Sequence, residues 1–154
     1  MENNSFMEVR ENVIVNRSFD FSVRIIKFCY EMQSQHREYI ITKQLLKSGT
    51  SIGANIEEAQ GAISKKEFIA KTQISLKKAR EFVYWIRLII ESQVFKSEKL
   101  SFLLNESKKL VYILTKIYFS FIYEKNLRHI SIFHHYFDIL SFWNHYFIIN
   151  IFHI

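Results

Sequence analysis

The sequence predicts an all-α fold: an antiparallel up-down-up-down four-helix bundle with an atypical hydrophobic C-terminal extension. Three observations carry that prediction. Proline is absent from the 154 residues and glycine occurs only 3 times, so the chain lacks the residues that build the many turns of a sheet protein. Apolar residues instead recur at alternating steps of three and four over long stretches, which is the period of one helix face. The breaks between those stretches are short, and short connections between long helices make antiparallel neighbours. The length suits one domain with a real core, with residues 1–127 as the bundle and 128–154 as the extension.

Residues 1–12 are polar and are expected to fray. The first helix is predicted from Val13 or Ser18 to about Gln35, with Phe21, Ile25, Phe28 and Met32 on one face. Ser34–Glu38 is the first loop or helix end. The second helix is predicted to begin near Thr42 as its N-cap. It carries Leu45, Leu46, Ile52, Ile56 and Ala59 and is rich in small residues: Ser48, Gly49, Ser51, Gly53 and Ala54. A glycine inside a helix costs about 1 kcal/mol relative to alanine, so close approach of a neighbouring helix is expected at Gly49 and Gly53. Gly61 marks the end of this helix. Ser64 and Glu67 form a capping-box pattern that opens the third helix. Its apolar seam is Phe68, Thr72, Ser75, Ala79, Phe82, Ile86 and Ile90, a heptad-like run suited to bundle packing. Ser97 caps the fourth helix after a short loop at Ser92–Lys96. Leu100, Leu103, Leu104, Leu110, Leu114, Ile117 and Phe121 supply its apolar face.

Residues 128–154 change in character. They hold five of the six histidines and many aromatic residues, including Phe133, Tyr136, Phe137, Phe142, Trp143, Tyr146 and Phe147. Asp138, Asn144, Asn150 and the histidines interrupt the apolar run, whereas a spanning helix needs about 20 predominantly apolar residues. A membrane span is therefore not expected, and an extra packed helix or a loosely ordered appendage is. His129, His134, His135 and His145 lack the i, i+4 spacing of zinc-binding helices, so no metal is expected. An aromatic surface of this size marks an interface or an aggregation risk unless it packs.

The net charge of +6 sits on the bundle: residues 1–127 carry 20 Lys/Arg against 14 Asp/Glu, and residues 128–154 carry one of each, Arg128 and Asp138. A basic body favours an anionic partner such as RNA, DNA or an acidic protein. The single cysteine, Cys29, cannot form an internal disulfide, and Met1–Phe6 (MENNSF) does not read as a signal peptide. A reducing, cytoplasmic setting is the expectation. Between Phe28 and Tyr30 on an apolar helix pattern, Cys29 reads as a buried structural thiol. The chain carries no glycine-rich phosphate loop, nucleophile elbow or clustered cysteine ligands, so neither an enzyme nor a cofactor is expected.

On the third helix, Lys66, Gln73, Lys77, Arg80, Tyr84 and Arg87 follow at steps of seven, four, three, four and three, which makes one stripe beside the apolar seam. Lys and Arg neutralise phosphates, while a Tyr or Gln stacks on or hydrogen-bonds a base. This is the candidate nucleic-acid-binding surface, to be weighed against an ordinary solvated face. Asn55 falls beside the apolar stripe of the second helix, where a buried amide fixes register or oligomer state. With Gly49 and Gly53 it forms the candidate structural, oligomer-specifying set. Glu57 and Glu58 are adjacent and so point about 100° apart, which suits pairing with lysines better than joint catalysis.

The run Thr42–Ala59 (TKQLLKSGTSIGANIEEA), with Asn12–Phe21 (NVIVNRSFDF) and Lys77–Leu88 (KKAREFVYWIRL), closely resembles the bacterial four-helix-bundle family encoded within intervening sequences of 23S rRNA genes, also called the S23 family. The resemblance covers about residues 12–125. It implies a small basic four-helix bundle that forms ring-like homopentamers. It also implies kinship with the accessory protein of diversity-generating retroelements, which shares the architecture and binds nucleic acid. No catalytic residue comes with it. Members usually end near the position of Lys125, so the last 27 residues read either as a lineage-specific addition or as translation past a damaged stop codon or in a shifted frame. The expected function is a nonenzymatic pentamer that binds structured RNA in preference to DNA, with no small-molecule substrate. The alternative is a protein-interaction scaffold that binds no nucleic acid.

Overall fold

The structure is a computed structural model that describes residues 2–94 and 96–127, with side chains over residues 13–94 and 96–123. Four helices follow in order: α1 (Glu2–His36), α2 (Ile40–Gln60), α3 (Lys65–Ser92) and α4 (Glu98–Leu127). Met1–Tyr118 form one compact unit; the second, Phe119–Ile154, is described only through the last turns of α4. The expectations for residues 128–154 lie outside the described residues.

The core is built mainly on the apolar faces that periodicity marks, with Ile14, Leu76 and Ile89 added from outside those seams and Leu46, Ile90, Leu104 and Ile117 only partly buried against it. Phe21, Ile25, Phe28 and Met32 of α1, Leu45, Ile52 and Ile56 of α2, Phe82 and Ile86 of α3, and Leu103, Leu110 and Leu114 of α4 are all buried in one cluster. Phe21 and Phe82 meet edge to face across it, with ring centroids 5.1 Å apart, a favoured geometry for two aromatic quadrupoles. α4 lies beside both α1 and α3. Arg17 Nη2 donates to Glu106 Oε2 at 3.0 Å and the Arg24 guanidinium stands 5.2 Å from the Phe102 ring centroid, both between α1 and α4. Gln73 Nε2 donates to Tyr118 Oη at 3.1 Å between α3 and α4.

The helix starts and stops differ from the sequence reading in two places. α1 begins at Glu2, not at Val13 or Ser18. Residues 2–12 contain no glycine or proline, so nothing local ends the helix there. α2 begins at Ile40, not at Thr42, and its N-cap position, Tyr39, makes no side-chain cap. Glu38 does the capping instead. Its carboxylate accepts from the backbone N–H groups of Ile40, Ile41 and Thr42 at 3.1, 2.9 and 2.9 Å, which satisfies three orphan donors and complements the helix dipole. Thr42 is buried inside the helix, and its hydroxyl donates to the Glu38 carbonyl at 2.6 Å. The other boundaries agree. Ser64 Oγ accepts from Glu67 N at 3.1 Å to open α3, Gly61 is the C-cap of α2, and Ser97 Oγ accepts from Lys99 N at 3.3 Å at the start of α4.

The glycines of α2 sit where two helices need their space. A Cβ on Gly53 would come within 2.9 Å of Ser22 Oγ and 3.2 Å of the Ser18 carbonyl oxygen, so the α1 backbone runs directly against it. A Cβ on Gly49 would overlap Ile25 Cδ1 at 2.2 Å and touch the Phe82 ring at 3.1 Å. The polar neighbours of these glycines bond their own helix. Ser48 donates to the Gln44 carbonyl at 2.7 Å, Thr50 to Leu46 at 2.7 Å and Ser51 to Lys47 at 2.6 Å. Asn55 is half-buried and does the same, donating to the Ser51 carbonyl at 2.7 Å.

Gly49→Val overfills this corner. We expect it to lower the unfolding free energy by about 1–3 kcal/mol. In urea titrations the midpoint should fall while the slope stays unchanged; an unchanged midpoint would mean that Ile25 and Phe82 have room to give way.

Candidate nucleic-acid interface

The side of α3 opposite its buried face carries the stripe. Lys66, Lys77, Arg80, Tyr84 and Arg87 are all exposed, and Gln73 is half-buried and tied to Tyr118. From Lys66 to Arg87 the stripe runs roughly 31 Å at 1.5 Å per residue. The structure thus brings five of the six sequence-predicted residues to solvent on one face and turns the sixth toward α4.

Pairing separates these cations from their neighbours. On the α2 side, Lys71 is ion-paired with Glu58. That hydrogen bond and the charge of Glu58 hold the Lys71 ammonium above its ordinary pKa. Lys78 pairs with Glu81 at 2.6 Å. On the α1–α4 edge, Glu106 accepts from Lys109 at 2.7 Å and Arg17 at 3.0 Å. The bond from Lys109 first, and then Arg17, hold its carboxyl below the usual range although partial burial pushes it upward. Lys99 pairs with Glu31. Among the described residues, Lys66, Lys77, Arg80 and Arg87 make no ion pair. Tyr84 stands between Arg80 and Arg87 with its ring edge-on to Trp85 at 5.5 Å, and Trp85 packs on the core.

A second face was not singled out by sequence. Phe19, Ile26 and Tyr30 of α1 are 60%, 46% and 75% exposed, and with half-buried Val23 they form a second seam at steps of four, three and four. Its signal was present as a periodicity offset by two residues from the core seam Phe21, Ile25, Phe28 and Met32. Of the oligomer-specifying candidates, Gly49 and Gly53 face the inside of the protomer, and Asn55 bonds within α2.

Cys29 is buried, its thiol donates to the Thr42 carbonyl at 3.5 Å, and burial, followed by the nearby Glu38 charge, pushes it up to about 12. A thiol so placed stays protonated and unreactive. Among the described residues no group of three or more His, Cys, Asp or Glu side chains is placed to hold a metal ion, and no helix is long and apolar enough to cross a membrane.

A four-helix protein with exposed cations free of ion pairs along one face of α3 is thus defined by its geometry. The comparisons with known proteins give the family: residues 10–116 match the 23S rRNA-intervening sequence protein family, and the chain belongs to it. A crystal structure of a Bacteroides thetaiotaomicron protein of unknown function from the S23 ribosomal protein family is similar, with 38% identity over 71% of this chain and 97% of that one and a TM-score of 0.68. Neither description names an enzymatic activity. No curated protein matches the chain.

The Cys29 thiol gives a pH test with a definite sign. Its folded pKa of about 12 lies above the value of about 8.5 for an unfolded thiol. Its contribution to stability is therefore complete below pH 8 and is lost as pH rises from about 8.5 toward 12. Between pH 8 and 10.5 the wild-type chain should lose more stability than Cys29→Ala in parallel urea titrations. Equal losses would mean that the thiol ionises as readily in the folded protein as in the unfolded chain.

Proposed function

We propose that this protein is a nonenzymatic RNA-binding protein that acts as a homo-oligomer, with α3 as the binding face. The observation that carries the reading is the set of four exposed cations, Lys66, Lys77, Arg80 and Arg87, that have no carboxylate partner among the described residues while Lys71 and Lys78 beside them do. Unpaired cations exchange only water and counterions for phosphate, whereas a paired one must first break its bridge. The family description, with its 23S rRNA intervening sequence, favours RNA as the polyanion.

The apolar seam of α1 supports self-association. Phe19, Ile26 and Tyr30 would leave water in contact with a second copy. The pentameric ring that the sequence resemblance implies requires a heterologous contact, so the seam of one copy meets a different face of the next. Repetition of the α3 face around a ring raises affinity through avidity without any new contact.

Two measurements test this. Lys77→Glu with Arg80→Glu should weaken binding to a hairpin RNA by about tenfold or more and lower the salt slope by roughly two phosphate contacts; unchanged affinity would move the reading to a protein-interaction scaffold. Ile26→Glu, on the α1 seam, should shift the sedimenting species to monomer and weaken RNA binding with it. An oligomer that survives this change would remove α1 from the interface.

A further inference from the structure

The basic face does not end at α3. α3 and α4 are antiparallel, joined from Ser92 to Glu98, and their register is fixed again far from the loop by the Gln73–Tyr118 hydrogen bond. That register sets Arg80, Tyr84 and Arg87 of α3 alongside the stretch of α4 that holds Lys108 and Tyr112. Both α4 residues are exposed. Lys108 makes no ion pair among the described residues. Lys116 Nζ lies 5.3 Å from the centroid of the Tyr112 ring, a cation–π contact that holds ring and charge together.

Tyr84 and Tyr112 are therefore alike in their setting. They are 57% and 59% exposed, each is braced on one side, by Trp85 at 5.5 Å and by Lys116 at 5.3 Å, and each has cations within one helical turn. The register puts them about 7 Å apart along the bundle axis, since five residues of helix separate their levels. A surface that bound only the phosphates of a duplex would gain nothing from tyrosines, because paired bases hide their faces in the stack. Unpaired bases offer those faces, and a tyrosine flanked by cations both stacks on the base and neutralises the adjoining phosphates.

We infer that the α3–α4 face binds unpaired nucleotides of RNA, with Tyr84 and Tyr112 as base-stacking platforms and Arg80, Arg87, Lys108 and Lys116 as phosphate contacts. This rests on the proposed RNA-binding role of α3 and assigns its ligand class. A loop, bulge or single-stranded end fits the face; a continuous duplex does not.

The test uses the full chain and two probes of equal phosphate number, an unstructured oligouridylate and a blunt RNA duplex, titrated by fluorescence anisotropy at one salt concentration. The wild-type protein should bind the oligouridylate about tenfold more tightly than the duplex. Tyr84→Ala with Tyr112→Ala should weaken oligouridylate binding by about thirtyfold or more, from two platforms whose stacking is worth about 1–3 kcal/mol per base, and leave duplex binding unchanged. Tyr84→Phe with Tyr112→Phe keeps the rings and should retain the wild-type preference, while unchanged duplex binding by the alanine pair separates lost stacking from lost structure. Equal affinity for the two probes, or an alanine pair that binds oligouridylate like wild type, overturns the stacking assignment. The Lys77→Glu, Arg80→Glu protein separates this from failure of the underlying reading. If it binds both probes as wild type does, the basic face itself is not the RNA surface.

Discussion

At Gly53 the backbone of α1 passes so close to α2 that a single methyl group would meet both Ser22 Oγ and the Ser18 carbonyl. One turn earlier, Gly49 leaves the space into which Ile25 of α1 and Phe82 of α3 project. Three helices are thus seated by two missing side chains. The helix tolerates about 1 kcal/mol of lost propensity at each glycine because the approach lets large apolar side chains pack at interior density. The hydroxyls and amide of the surrounding motif turn back onto their own helix, so none of them demands a partner across the contact. A polar bridge does cross from α3: Ser75 donates to the Ile52 carbonyl at 2.9 Å, deep in the bundle.

The surface follows from that seating. With α1 drawn against α2, the apolar residues Phe19, Ile26 and Tyr30 are left on the outside. With α3 anchored by Phe82 and Ser75, its opposite face projects Lys77, Arg80, Tyr84 and Arg87 into water. The acidic residues clamp the edges instead: Glu58 to Lys71 between α2 and α3, and Glu31 to Lys99 and Glu106 to Arg17 between α1 and α4. Exposed pairs of this kind contribute at most about 1 kcal/mol each. Their larger consequence is where they leave positive charge uncompensated. The exposed cations Lys66, Lys77, Arg80 and Arg87 of α3 are left without a carboxylate partner among the described residues.

What the sequence determined by itself was the content of each layer. A missing proline, few glycines and an unbroken period of three and four define long helices, since that pattern is a property of one chain segment and its own backbone. The buried faces, the Ser64–Glu67 cap, the inert setting of Cys29 and the exposure of the α3 stripe are all local in this sense. The failures share one cause. The cap of α2 comes from Glu38, before the apolar run, where sequence offered no reason to prefer it to Thr42. The pairing of Lys71 with Glu58, the turning of Gln73 toward Tyr118, and the register that brings Tyr112 and Lys108 alongside Tyr84 all depend on which helix lies beside which. Helix periodicity contains no information about its neighbour's register. That is decided by side chains meeting across the core, and only the assembled bundle brings them together.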